Sequence, residues 1–559
     1  METPHWKWKN AKRAAIVARL TMDPTAPQDR QSRELLIVIG VWIVLAAITV
    51  LLARQNLSAP GLYYDEAVFA GLAKDFVTGH VHGQHMPDHE TIMIAGRPFP
   101  LFVQTYLGAL KSWMLIPVFQ LFGSTFAALR ASNIFWELIA LLFLMLGAYR
   151  WLGFGAALIT GALLALDPTY FFISTLDWGV AVPSFVCRCA CFYFAIRWNQ
   201  MHKMRDALLV GLFAGLGFFN KADFVVFLTA IAVATLVCYR REIFAAIRQH
   251  SGGTALACLG FAIGAGPMLL KIPRMFALTV SGPHPNAPGE FGVKLKTLLS
   301  MYDGSHFYRL MNVGGVFERM YDGAVAPREF FGVFLVLACF VFAIVVAKKQ
   351  IARARDITFL IVAAALITLG IFAFPDAIRI HHSTLVYPLP QLVLAALIVA
   401  FWKIRAASKL DYVIPALIAL VIVDLVASDL HAIVKTEQLI AQTGGRGRWS
   451  ESLNAFCREA RDRSDLTVVS LDWGFNEQLM FLTDGPQLSE PFWEFNQTLP
   501  PLPTDPNYVY LAHPPEYSVL KYDIAYLNQL QRGGANVEIT PHLDRQGEIV
   551  FYTIRYRSQ

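Results

Sequence analysis

The chain has 559 residues, 55% of them hydrophobic and only 16% charged, with a formal net charge of +6 and a mean hydropathy of +0.46. A soluble chain would carry roughly a quarter charged residues, so an all-soluble enzyme is excluded. The basic excess is a topology signal of a polytopic α-helical membrane protein, not a sign of nucleic-acid binding.

In chain order, residues 1–34 form a basic tail (Lys7, Lys9, Lys12, Arg13, Arg19, Arg30, Arg33) that the positive-inside rule keeps in the cytoplasm. Apolar runs suited to crossing about 30 Å of hydrocarbon follow at 35–53, 130–149, 154–174, 179–197, 206–220, 222–239, 254–273, 329–347, 357–374, 384–402 and 411–428. The stretch 101–122 is also apolar, but Lys111 lies near its middle and Pro117 inside it. Counting it as a span would turn Arg150, the Arg197/Lys203/Arg205 loop and the Arg240/Arg241/Arg248 loop outward, against the positive-inside rule. It is therefore predicted as a helix in the outer interface, with Lys111 turned toward the headgroups. Eleven spans over 35–428 result, with the N-terminus inside and the C-terminus outside. The outer pieces are a loop at 54–129, a second at 274–328, and a soluble extracytoplasmic α/β domain at 429–559. Its pattern predicts helices at 450–463 and 516–532 and strands at 466–471, 508–512, 537–540 and 548–555.

Where the first span leaves the membrane stands Tyr63-Tyr64-Asp65-Glu66. Anionic side chains gain nothing from lipid headgroups, so this pair suits a site where a lipid-borne substrate meets an acid or base. The plain alternative is capping of a helix that begins at Ala67. Outer turns hold Asp177 (in Thr175-Leu176-Asp177-Trp178), Lys221 after the Gly-rich run from Gly211 to Phe219, and Arg379 with His381 and His382. A helix cap, a snorkelling side chain and a polar loop are their respective plain readings. His80, His82, His85 and His89, with Asp88 and Glu90, invite a metal reading, but Gly79, Gly83 and Pro87 oppose the helix that would align His85 with His89. Arg188, near the centre of a span, requires a partner, with Glu137 first and Asp424 in reserve. Of the 7 cysteines only Cys457 is predicted outside, so there is no disulfide framework.

A cytoplasmic N-terminus, one span and an Asp-Glu pair opening a long outer loop resemble the GT-C superfamily, above all its aminoarabinose transferases and protein O-mannosyltransferases. Asp177 in the second outer loop, Lys221 after a Gly-rich span, and Phe122-Gly123 followed by Arg130 match as well, within residues 30–400. The resemblance implies a membrane glycosyltransferase that moves a sugar from a polyprenyl-phosphate donor to an extracytoplasmic lipid, glycan or protein; with no organelle signal or disulfide set in the sequence, a bacterial inner membrane is the default expectation. It implies Asp65 as the base or the acceptor-orienting ligand, Glu66 in support, and Asp177 as a second carboxylate for sugar hydroxyls or a metal. Lys221, helped by Lys111, Arg97, Arg379, His381 and His382, would hold the donor phosphate. In-line attack would invert the anomeric carbon. Some members of the superfamily use a divalent cation near the first Asp and others do not, so the metal stays open. Two other classes stand beside this one. A ligase or polymerase of lipid-linked glycans would draw on Arg274, His284, His306, Arg309 and Arg319 in the 274–328 loop. A secondary transporter would more often show internal repeats, and none is evident.

Overall fold

The computed structural model describes residues 28–557 except 84, 177, 282–289, 316–325, 348–352, 375–378, 405–412, 494–503 and 535. Asp177, His284, Arg319 and most of the basic tail therefore lie outside the described residues. Apolar continuity becomes helix from the start: α1 (Gln28–Ala53) is followed by α2 (Tyr64–Thr78). The Tyr63 N–H donates to the Glu66 carboxylate at 3.3 Å, half of a capping box, and α2 stops at Gly79, whose φ of +86° a side chain would resist.

A three-stranded antiparallel sheet comes next, β1 (Glu90–Ile94), β2 (Arg97–Gln104) and β3 (Leu107–Gly108), and then α3 (Leu110–Phe122). The helix predicted over 101–122 is thus part strand, because Pro98 and Pro100 hold the chain extended and helix begins only after Gly108. Lys111 is also corrected. It is buried, and its ammonium donates to the side chain of Asn133, which in turn donates to Ser174 O at 2.8 Å. It ties three segments together and does not face headgroups.

The membrane region continues with α4 (Phe126–Leu152), α5 (Phe154–Ala165), α6 (Pro168–Leu176), α7 (Ala181–Met201), α8 (Met204–Asn220), α9 (Phe224–Gln249) and α10 (Ser251–Ser281). After α11 (Glu290–Tyr302) and α12 (His306–Val313) come α13 (Phe331–Ala347), α14 (Ala354–Ala373), the single turn α15 (Ile380–Ser383), α16 (Leu389–Ile404) and α17 (Val413–Thr443). Among the described residues seven helices are long and apolar enough to cross a membrane, and α5 with α6 makes an eighth if counted as one bent span. The runs predicted at 179–197, 206–220 and 329–347 are helical too, as α7, α8 and α13, but fall short of that test. The bend between α5 and α6 is 62°. Pro168 disfavours helix at Asp167, and the Asp167 carboxylate accepts the Tyr170 N–H at 2.8 Å to start a new helix.

Arg188 differs from expectation as well. It donates to Ser184 Oγ at 2.7 Å and to Thr384 O at 3.2 Å, forming no ion pair with Glu137 or Asp424. A hydroxyl and a carbonyl take the place of a direct ion pair, while the buried Nε has no hydrogen-bond partner among the described residues.

Helices α8 and α10 pack through facing small residues. A Cβ at Gly211 or Gly215 would strike the carbonyls of Ala257 or Phe261, and one at Gly260 or Gly264 those of Leu208 or Leu212. Two stripes of Gly-xxx-Gly spacing thus allow the backbones to touch. Gly215→Val is expected to cost about 2 kcal/mol or more in detergent unfolding, since backbone cannot move aside as a side chain can. Gly292→Ala, with open space at its Cβ position, is the control and should leave the midpoint unchanged.

After α17 the chain builds α18 (Ser452–Ala460), β4 (Thr467–Ser470), α19 (Asn476–Leu482), β5 (Gln487–Ser489), β6 (Tyr508–Ala512), α20 (Tyr522–Gly533), β7 (Val537–Leu543) and β8 (Ile549–Tyr556). The sheet order is β5-β4-β6-β8-β7, parallel across β5, β4 and β6 and antiparallel beyond. Helix α19 and strand β5 were not in the predicted pattern. Helix α19 docks on α2 through Lys74, whose buried ammonium donates to the carbonyls of Met480 (3.0 Å), Phe481 (3.1 Å) and Thr483 (2.6 Å) and pairs with Asp484 at 2.7 Å. A cation on the open carbonyls at a helix C-terminus is favourable electrostatics.

Candidate active site

Neighbouring residues on a helix point roughly 100° apart, so the first turn of α2 sends Asp65 and Glu66 in different directions. Glu66 turns inward. It is fully buried, with both oxygens on Arg130 of α4, at 2.8 Å from Nε and 2.7 Å from Nη2. The other guanidinium hydrogens reach the carbonyls of Asn56 (2.6 Å), Pro60 (3.2 Å) and Gly61 (3.3 Å). Glu66 thereby anchors the first turn of α2 to Arg130. Asp65 turns outward, its side chain 20% exposed and paired with Arg379 at 3.1 Å.

Arg379 stands at the start of α15, which carries His381 and His382 to the turn between α8 and α9. There Lys221 Nζ lies 3.1 Å from Asp223 Oδ2 and 3.3 Å from His382 Nδ1, and His382 Nδ1 is 3.2 Å from Asp223. Burial pushes the Asp223 carboxyl up, but Lys221 and His382 outweigh burial and hold it well below its ordinary value. The turn is fixed to the first outer loop by the Ala222 N–H, which donates to Tyr106 O at 3.1 Å, and by a bridge between Lys221 and Leu107. Trp178 packs 5.4 Å from the Tyr63 ring and 6.2 Å from His381, and Gly179 leaves room for the Asp65 carbonyl.

The fold thus brings Asp65, Lys221, Arg379, His381 and His382 together, and leaves Lys111 and Arg97 out. Arg97 stands exposed on the β1–β2 hairpin and donates to Val77 O at 2.7 Å, at the far end of α2. Asp177 lies outside the described residues. The sequence reading missed Arg130 as the partner of Glu66 and Asp223 as the partner of Lys221. An Arg inside an apolar run and an Asp two positions after a Lys were the available signals.

A third wall comes from the C-terminal unit. The Tyr64 ring lies 4.0 Å from Trp473, the Tyr64 hydroxyl donates to Glu477 of α19 at 3.0 Å, and the Arg379 guanidinium sits over Trp473 at 5.5 Å. Trp473 is pinned from behind by Arg448, which donates to its carbonyl and to Asp472, while Asp472 accepts the N–H groups of Val519 (2.9 Å) and Leu520 (2.8 Å). Asp472, His513 and Asp523 have the mutual spacing of metal ligands. The guanidinium of Arg448 already contacts Asp472 and lies 3.2 Å from His513, so the residues present do not fit a second cation there. Burial, with Arg448 adding to it, pushes His513 down to about 3, so its ring is neutral. In the His-rich segment, His82 and His85 both close on one carboxylate, Asp75, at 2.8 and 2.6 Å. Burial pushes Asp75 up, and the hydrogen bonds from both imidazoles reverse that and leave it below its ordinary value.

Residues 109–264 match the family model described as dolichyl-phosphate-mannose-protein mannosyltransferase. No curated protein matches the chain significantly. The fold is similar to that of ArnT from Cupriavidus metallidurans bound to undecaprenyl phosphate, with a TM-score of 0.52 at 12% identity over 92% of this chain and 99% of that one. The apo state of the same protein gives a TM-score of 0.50 at 13% identity, over 93% and 99%. The oligosaccharyltransferase of Archaeoglobus fulgidus in its apo form gives 0.49 at 13% identity, over 81% and 65%.

Proposed function

We propose that this chain is a membrane glycosyltransferase of the GT-C superfamily that moves one sugar from a polyprenyl-phosphate donor to an extracytoplasmic acceptor with inversion, a reading supported by the mannosyltransferase-family match over residues 109–264 and the ArnT-like fold. The observation that carries this reading is one outward carboxylate, Asp65, paired with Arg379, whose turn carries His382 onto Lys221. The acceptor X–H attacks the anomeric carbon, the bond from that carbon to the phosphate oxygen breaks, the proton passes to Asp65, and polyprenyl phosphate leaves with one more negative charge. Lys221 and Arg379, held on the acidic partners Asp223 and Asp65, offset that charge where it develops. His381 and His382 line the same group. Asp177 remains proposed as a second carboxylate for sugar hydroxyls or a metal. The same reading takes the eleven spans expected from the sequence, with this group and the C-terminal unit on the outer face of a bacterial inner membrane and the N-terminus in the cytoplasm; among the described residues seven helices, or eight with the bent pair, have the length and hydropathy of a span.

A glycan ligase is less supported. His306 and Arg309 of the 274–328 loop are buried, with Arg309 bonded to Ser305 at 3.0 Å, and Arg274 pairs with Asp88 at 2.7 Å. The test is turnover in proteoliposomes with a mixture of short-chain polyprenyl-phosphate sugars. Release of polyprenyl phosphate and an anomeric centre opposite to that of the donor are expected. Transfer of a preassembled glycan, with no single-sugar transfer, would move the chain to the ligase class.

A further inference from the structure

The described contacts close a ring around the site that crosses from the membrane region to the C-terminal unit. The buried Glu477 carboxylate accepts the Tyr64 hydroxyl; the Tyr64 ring lies against Trp473; Trp473 carries the Arg379 guanidinium; and Arg379 pairs with Asp65, the residue after Tyr64. The second oxygen of Glu477 is buried with no hydrogen-bond partner among the described residues, and the proposed chemistry does not use it. Helix α19 is capped by Lys74 of α2 at one end, and the Trp473 segment before it is tied by Arg448 and Asp472.

We propose that Glu477 is a positioning residue for the transfer, setting through Tyr64, Trp473 and Arg379 how firmly Asp65 is held, and so how readily Asp65 takes the acceptor's proton. This rests on the reading of Asp65 as the acceptor-activating carboxylate. Burial pushes the Glu477 carboxyl up to about 7, the Tyr64 hydrogen bond and Asn476 draw it down, and the Asp65 charge adds to the rise. The other charged groups described at this seam are Glu490, close enough to act on Tyr64, Arg379 over the Trp473 ring, and Arg448 with Asp472 behind it. Below that point Glu477 is neutral, and Arg379 stays on Asp65. Above it the second negative charge competes for Arg379 and repels the Asp65 carboxylate, which becomes the better base. Turnover therefore rises with pH through about 7.

The experiment is a pH–rate profile of donor turnover in proteoliposomes for wild type, Glu477→Gln, Tyr64→Phe and Asp65→Asn, each checked for its melting transition. Glu477→Gln keeps an acceptor for the Tyr64 hydroxyl but cannot ionise, so its profile should lose a rise of roughly 3- to 10-fold, while the donor KM stays as in wild type. Tyr64→Phe removes a hydrogen bond that favours the carboxylate, so the midpoint of the rise should move to higher pH. A merely structural Glu477 would lower turnover equally at every pH. Retention of the wild-type rise by Glu477→Gln overturns the inference. If Asp65→Asn meanwhile abolishes turnover, the functional reading stands and only the role of Glu477 falls. If Asp65→Asn keeps full turnover, the reading of Asp65 falls and the inference with it.

Discussion

Asp65→Asn is expected to lower sugar transfer by at least about 10²-fold while leaving the melting transition of the protein unchanged. The change keeps the shape of the side chain and removes only its basicity and charge. Asp65 is part-exposed and pairs with an Arg379 that also rests on Trp473, so no buried charge is stranded when the carboxylate is lost. The pair is part-buried yet still reached by solvent, so its loss is expected to cost on the order of 1 kcal/mol, too little to unfold a membrane domain. Turnover at the wild-type rate would remove Asp65 from the chemistry. Arg379→Gln separates the two roles of the site. It should raise the donor KM more than it lowers kcat if Arg379 meets the phosphate in the ground state, and lower kcat alone if that contact forms only as charge builds on the leaving group.

The fold was legible in the sequence wherever the physics is one-dimensional. Apolar runs give helices, because in hydrocarbon every backbone group must be satisfied within its own segment. The predicted runs accordingly reappear as α1 and α4–α10, then as α13, α14, α16 and α17. The expectation at 101–122 failed because hydropathy cannot distinguish a strand from a helix in a short apolar stretch, and two prolines decided for the strand. The partner of Arg188 was misjudged for a related reason. The rule that a buried charge seeks its opposite ignores hydroxyls and carbonyls, and the positions of Ser184 and Thr384 are set only by packing. Within the site, Asp65, Lys221 and the Arg379–His382 turn were legible because polar residues at the outer ends of apolar runs stand out in one dimension. Trp473 and Glu477 carried no such signal. They lie more than 400 positions from Tyr64 in the chain, and only tertiary docking through Lys74 brings them near it.

On the proposed function the acidic pair Asp65-Glu66 divides into an acceptor-activating residue and an anchor, and the division predicts opposite phenotypes for adjacent residues. Arg130→Met is expected to destabilise the protein by about 3–5 kcal/mol, because it leaves Glu66 as an uncompensated charge in the interior and strips three carbonyls of the 56–61 segment of their donor. Removing both partners together, as Glu66→Gln with Arg130→Met, should recover a substantial part of that loss, since an isosteric neutral pair avoids the stranded charge. Thermal unfolding in detergent checks the three variants side by side. Activity should follow stability in this series, because the pair sets the direction in which the first turn of α2 aims Asp65. Loss of turnover by Glu66→Gln with an unchanged melting transition would contradict the anchoring role and return Glu66 to the chemistry of the site.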